Sequence, residues 1–320
     1  AGAAEGSLLT AESISHPWEC LRGDPLPWLL DPVRPHLHWR VLVEMVRRPT
    51  SSPAVVRARG GANAVNPVAA LLADLSPDGS WSSDFPTWND PEGPGRRLLA
   101  AVQLGADPTD PRLHAAAEVL LETAPGEGGF ALDRDQVPVA WLTARVLQAL
   151  AELGWCHHAR FQEGLAWLDE KAPHSNSGGW ATTDTECAVT PVALLMALTS
   201  CAHDRRRELR ARAVESAVRG LSELDEESTQ LDHPNIDRTD VCEALWALAR
   251  AGVPFDSRIV PALTSLQKQQ GEGARWVRGR PEPRGGSPSR WVTLHAAVAL
   301  LHFAVEAGLP RMYPQKPQEN

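Results

Sequence analysis

Pro138-Val139-Ala140-Trp141-Leu142-Thr143-Ala144-Arg145-Val146-Leu147-Gln148-Ala149-Leu150 is the stretch that decides the fold. It is apolar on almost every side at helical spacing, and such a helix is buried by several neighbours rather than by one. Proline is tolerated in the first turn because its missing N–H has no helical partner there. The same opening recurs at Pro67-Val68-Ala69 and Pro191-Val192-Ala193. Runs 241–249 and 292–304 have the same texture without the proline, and a shorter one covers 96–104. These six runs are predicted to be inner helices.

Between them lie segments with one apolar face, 112–123, 159–170, 206–223 and 258–269, which read as an outer layer. Glycine-aromatic loops accompany them: Asp78-Gly79-Ser80-Trp81, Gly128-Gly129-Phe130, Gly178-Gly179-Trp180 and Gly273-Ala274-Arg275-Trp276. The glycines permit a tight turn, and the aromatic plugs the gap between neighbouring repeats. The unit is inner helix, outer helix and plug, at roughly fifty residues, and units of this kind stack on a shared core. The inner runs are too apolar to line an exposed concave face, so the stack is expected to close. The expected fold is all-α, an α/α toroid over residues 61–310, with 1–60 as an N-terminal helical cap and 311–320 as a flexible tail.

Composition narrows the function classes. The chain has 320 residues and a formal net charge of −9, with no basic stripe along a helix face, so nucleic acid is not an expected partner. No run of about 18 apolar residues is present, so no membrane span is expected. Five cysteines, an odd number in a long chain, suggest no dense disulfide framework and fit a reducing cytoplasm. Twelve tryptophans stand against one tyrosine. Trp141, Trp246 and Trp291 sit on or before inner helices, where they are expected to line an apolar substrate pocket. Glu186 and Cys187, at another inner-helix start, join them as candidate pocket residues, and Asp133, Asp135 and Asp184 fall in the same kind of place.

The chemistry concentrates in Thr239-Asp240-Val241-Cys242-Glu243-Ala244-Leu245-Trp246, followed by Thr293-Leu294-His295. Asp240 occupies an N-cap position. Cys242 follows in the first turn, where a helix N-terminus lowers a thiol pKa. His295 begins the next inner helix. A carboxylate, a thiolate and an imidazole at one rim make a three-ligand Zn²⁺ site with an open fourth position. An N-cap, a core cysteine and a hydrogen-bonded histidine explain the same residues without metal.

This constellation resembles protein prenyltransferase β-subunits, whose Asp-x-Cys and later His hold zinc on a toroid. The resemblance implies zinc at Asp240, Cys242 and His295, and cyclisation or alkyl transfer on an apolar small molecule in specialised metabolism. It departs at the diphosphate clamp, where Pro234, Asp237 and Glu243 stand in place of basic residues, and acids repel a diphosphate. The chain also resembles class II terpene cyclases, which protonate an alkene with the middle acid of Asp-x-Asp-Asp. Here Asp237-Arg238-Thr239-Asp240 has Thr239 in the middle, so a metal-independent cyclase would use Asp237 or Asp240 instead. Asp240, Asp237 and Glu243 are the candidate catalytic residues. Trp155-Cys156-His157-His158 resembles part of the zinc site of lanthionine cyclases, but a surface histidine pair is the better reading. A non-catalytic toroidal binding protein is the remaining alternative, and a partner subunit or a homodimer stays open.

Overall fold

The computed structural model describes residues 20–31, 34–81, 93–122, 128–132, 136–171, 188–201, 206–224, 228–279 and 286–307. The helices are α1 (Leu26–Leu29), α2 (Pro35–Glu44), α3 (Pro53–Gly60), α4 (Val68–Leu71), α5 (Pro94–Gln103), α6 (Pro111–Glu122) and α7 (Ala140–Glu152). They continue with α8 (Ala159–Lys171), α9 (Val189–Ser200), α10 (Arg207–Ser222), α11 (Val241–Arg250), α12 (Val260–Lys268) and α13 (Arg290–Glu306). Among the described residues the only β pairing is two isolated bridges, Leu231 with Gly279 and Val277 with Pro288.

The helices form an α/α toroid. Its inner wall runs α5, α7, α9, α11, α13, α2, each packed on the next. Closure between α2 and the end of α5 is made by Trp39, whose indole N–H donates to the Gly105 carbonyl at 2.8 Å. Gly105 has φ +76°, and a Cβ there would stand 2.5 Å from the His36 carbonyl oxygen and 2.9 Å from the Trp291 ring. Only glycine fits where the ring shuts. The amphipathic helices form the outer layer: α6 on α5, α8 on α7, α10 against α9 and α11, α12 against α11 and α13. Residues 189–198 of α9 are all buried, as an inner helix covered on every side requires.

Two N-terminal segments differ from expectation. The run after Pro67 yields only the four-residue α4. It has few residues before Pro77, which biases the residue ahead of it away from helix. The sixth place in the wall is taken by α2, from the segment read as a cap. Upstream of α2 the chain clasps the last repeat. Trp28 lies between the Arg275 and Arg290 guanidinium groups, 4.7 and 4.5 Å from its ring centroid. Arg290 pairs with Asp31 at 2.9 Å.

The glycine-aromatic loops plug the wall as the sequence suggests. Phe130 and Trp276 are wholly buried. The backbone N–H of Phe130 donates to Thr143 Oγ1 at 2.9 Å, and that of Trp276 donates to Thr293 Oγ1 at 3.0 Å. Each aromatic carbonyl accepts from the residue capping the next inner helix, Val139 at 2.9 Å and Ser289 at 2.7 Å. Gly178-Gly179-Trp180 lies outside the described residues.

One covalent bond was not expected. Cys156 and Cys201 form a disulfide across a sequence separation of 45. They lie just beyond the C-terminal ends of α7 and α9, neighbours in the wall. Cys156 is therefore not a metal ligand, and the nearby His158 stacks on Trp155 at 5.0 Å.

Candidate active site

A helix that is buried on all sides still has one edge that faces the axis of the ring. In this chain those edges carry charges. Arg145 on α7 is wholly buried and meets Glu243 on α11 through two bonds, Nη1 to Oε1 at 2.6 Å and Nη2 to Oε2 at 2.9 Å. Its remaining donors go to Gln148 Oε1 and to the Ile236 and Arg238 carbonyls. Thr239 donates a further bond to Glu243 at 2.7 Å. Lower in the ring Glu152 pairs with Arg40 of α2 at 2.7 Å and with Arg250 of α11 at 3.1 Å. Burial by itself would raise the Glu152 carboxyl, but the two guanidinium groups hold it down at about 2. Trp246 completes the link by donating to Glu44 at 2.6 Å.

These groups line a small pocket between the inner helices. Trp246 and Trp291 form aromatic wall, Met196 and Val102 aliphatic wall, and Arg40, Gln103, Gln148, Glu152, His233 and Glu243 polar wall. Trp246 and Trp291, expected as pocket residues, both border this space. Trp141 is half-buried and is not part of this lining. Glu186, Cys187, Asp133, Asp135 and Asp184 lie outside the described residues.

The segment 231–239 covers the top of α11 and positions the acids. Asp240 caps the helix, its Oδ1 accepting from the Glu243 N–H at 2.8 Å. Its Oδ2 accepts from the Asp232 N–H at 2.6 Å and the Asn235 amide at 3.3 Å. Among the described residues no arginine or lysine pairs with it. Burial pushes its pKa up to about 7, against the pull of the two backbone N–H bonds. Asp237 is different. Its side chain is 52% exposed and pairs with Arg96, so it is a surface acid and not a buried proton donor.

The expected zinc ligands are not brought together. Among the described residues no three His, Cys, Asp or Glu side chains group to hold a metal ion. Both Asp240 oxygens are occupied by N–H donors. The Cys242 thiol donates to the Val292 carbonyl at 3.6 Å. The thiol pKa was expected to be low at a helix start, yet burial raises it, with the Asp240 and Glu243 carboxyls adding to the effect. His295 stacks on Trp246 with ring centroids 3.7 Å apart. Burial lowers its pKa well below the ordinary value, and His233, Arg40 and Arg250 lower it further. As placed, these three side chains do not make a zinc site.

Arg145, Gln148, Glu152, Arg40, Glu44 and His233 were not singled out from the sequence. Arg145 carried a signal: it is a charge inside a run apolar on every side, and such a group must be paired when buried. His233 carried none, since it lies in an irregular segment beside the cis peptide to Pro234.

No family model and no curated protein matches the sequence. Similar solved structures include the type II terpene cyclase MstE from Scytonema, at 15% identity and a TM-score of 0.44, covering 82% of this chain and 86% of that one. A protein from Actinoplanes is similar at 16% identity and a TM-score of 0.46, covering 84% and 89%. A variant of MstE in complex with geranylgeranyl dihydroxybenzoate, described as its substrate, is similar at 14% identity and a TM-score of 0.32, covering 75% and 95%.

Proposed function

We propose that this chain is an enzyme of the toroidal cyclase kind, which takes an apolar alkene into the lumen and protonates it from the Asp240 carboxyl without a metal. One observation carries this reading: a fully buried carboxyl with no cationic partner stands one helical turn from Glu243, which lines a cavity walled by tryptophan. A general acid works best with a pKa near the working pH, and burial supplies that. In the step, the O–H bond of Asp240 breaks and a C–H bond forms at one alkene carbon. A second alkene closes the ring on the resulting cation, a proton then leaves the product, and Asp240 is reprotonated from solvent. The Trp246 and Trp291 side chains wall the space in which the cation forms. Glu243, fixed by Arg145, contributes charge and not a proton.

The test is incubation of the purified chain with linear polyprenyl alcohols, with analysis for cyclic isomers of unchanged mass. Asp240→Asn keeps a good N-cap residue, and is expected to lower turnover by roughly 100-fold or more, the scale of general acid catalysis. Asp237→Asn is expected to leave it unchanged. A rate abolished by chelation and restored by zinc would overturn the metal-free reading, as would an Asp240→Asn variant as active as the wild type.

A second reading is favoured by the lumen charges, since Arg145–Glu243 and Arg40–Glu152–Arg250 are already paired within the protein. A toroid that binds an apolar ligand and does not turn it over needs nothing more, and binding without product identifies it. Among the described residues no helix is long and apolar enough to cross a membrane. The Cys156–Cys201 bond favours an oxidising compartment over the expected cytoplasm.

A further inference from the structure

Among the described residues, the buried tryptophans satisfy their N–H groups, with one exception. Trp39, Trp81, Trp246 and Trp276 donate to Gly105, Leu71, Glu44 and Leu266. Trp291 Nε1 has no partner. Two further buried atoms without one, His36 Nδ1 and His295 Nε2, belong to rings around it. The His295 and His36 centroids lie 5.8 and 6.4 Å from that of Trp291. All three residues are at most 8% exposed. An unmet buried polar atom costs about 1–3 kcal/mol, and native interiors meet such groups with protein, water or ligand. Three unmet polar atoms thus belong to one aromatic cluster, whose Trp291 also lines the lumen.

We propose that Trp291, His36 and His295 form a subsite for the neutral hydroxyl group of the substrate, beside the lumen where Trp291 lines it. This inference rests on the reading of the lumen as a substrate site. The indole N–H can only donate, so the incoming atom must accept. A neutral imidazole nitrogen accepts in one tautomer and donates in the other. A hydroxyl accepts from Trp291 and rotates its own hydrogen to suit either form, whereas a carbonyl oxygen fits only one of them. Burial keeps His36 neutral, its pKa pushed down to about 4. The guanidinium groups of Arg40, Arg250 and Arg290 near the cluster are already paired with Glu152 and Asp31, so an ionised head group would have to compete with those acids and its burial would be costly. An ordered water has the same hydrogen-bonding chemistry as the hydroxyl, and the experiment separates the two.

Binding of farnesol is measured against the hydrocarbon with CH3 in place of CH2OH and against farnesal, by calorimetry on the full chain. Farnesol is expected to bind roughly 10- to 100-fold more tightly than either, because the analogues leave buried groups unpaired. The indole N–H resonance of Trp291 is expected to move with farnesol and stay in place with the hydrocarbon. In Trp291→Phe, which keeps an aromatic ring, the preference is expected to fall to near unity. Equal affinity for farnesol and the hydrocarbon means the cluster holds only water and overturns the proposal. Farnesal binding as tightly as farnesol, or no binding of any of the three, overturns it too. Cyclisation is read separately: a farnesol preference without cyclic product removes the Asp240 reading and leaves the subsite, and product without preference does the reverse.

Discussion

Phe130 and Trp276 belong to different repeats and are held alike, each by a threonine of the following inner helix and by the residue capping it. Arg145 and Glu243 also belong to different repeats, yet they hold each other across the lumen, and no other repeat among the described residues carries that pair. The plug contacts are local and recur in both of these units. Contacts across the lumen join helices that are distant in sequence, so each is made once in the molecule. A repeat protein can therefore vary its centre without touching its wall. The difference also implies a different response to damage: a wall contact that is lost weakens one unit, and a lumen partner that is lost strands a charge.

The largest test of that contrast is Glu243→Gln. It leaves the Arg145 guanidinium buried with no counter-ion, and breaking one partner of a buried pair costs about 3–5 kcal/mol. Urea unfolding should show a loss of that size, and Arg145→Met combined with Glu243→Gln should recover part of it. A double variant no better than the single would mean the pair is not the unit. Next comes the covalent tie between wall neighbours. Cys156→Ser with Cys201→Ser, or reduction, should lower stability by about 2–4 kcal/mol, the range for a native disulfide. A reduced chain that melts with the oxidised one would show that α7 and α9 need no tie beyond their packing.

The same contrast explains what could be read from the sequence. The outer helices at 111–122, 159–171 and 207–222 fall within a residue or so of the amphipathic segments, because an apolar stripe at helical period is a direct consequence of facing a wall. Phe130 and Trp276 were legible because the loop recurs. The lumen was not, because a pair such as Arg145 and Glu243, 98 positions apart, leaves no spacing to detect. Asp240 was legible as an N-cap. Its burial was not, since the cover comes from 231–239, an irregular stretch with no period. The expected low thiol pKa of Cys242 failed for a related reason: a helix N-terminus favours the thiolate, but burial beside two carboxyls outweighs it.

The pH dependence of stability is a smaller effect and reports on the lumen alone. His36 and His233 ordinarily titrate at 6.5 and are held at about 4 in the folded chain, chiefly by burial. Between those values the unfolded chain binds protons that the native chain refuses, so stability falls as pH drops from 6.5 to 4. Asp240 acts in the opposite sense. Its ordinary value is 3.8 and its folded value about 7, so the native chain keeps a proton the unfolded chain releases, and stability falls as pH rises through that window. Two histidines outweigh one aspartate, so the net trend is loss toward acid. Asp240→Asn removes the opposing contribution and should steepen the fall by about 1.4 kcal/mol per pH unit. Melting curves of both proteins across pH 4 to 7 test it, and parallel curves would mean that Asp240 is ionised in the native chain.

The smallest expected effect is the sharpest check on the claim that the wall is built by repetition. Thr143 and Thr293 are wholly buried, and each accepts the N–H of a plug residue. Valine has the same shape and no acceptor, so Thr143→Val strands the Phe130 N–H and Thr293→Val strands that of Trp276. Each should cost about 1–2 kcal/mol, the penalty for an unmet buried donor. Serine at either place keeps the acceptor and should cost less. Because α7 and α13 are not neighbours in the ring, the two valine substitutions should add. Equal, additive losses mean that the plug is one device used twice. Unequal losses would locate the asymmetry in the second bond that Thr143 makes, a donation to the Val139 carbonyl at 2.8 Å, and would make the α7 plug the stronger of the two.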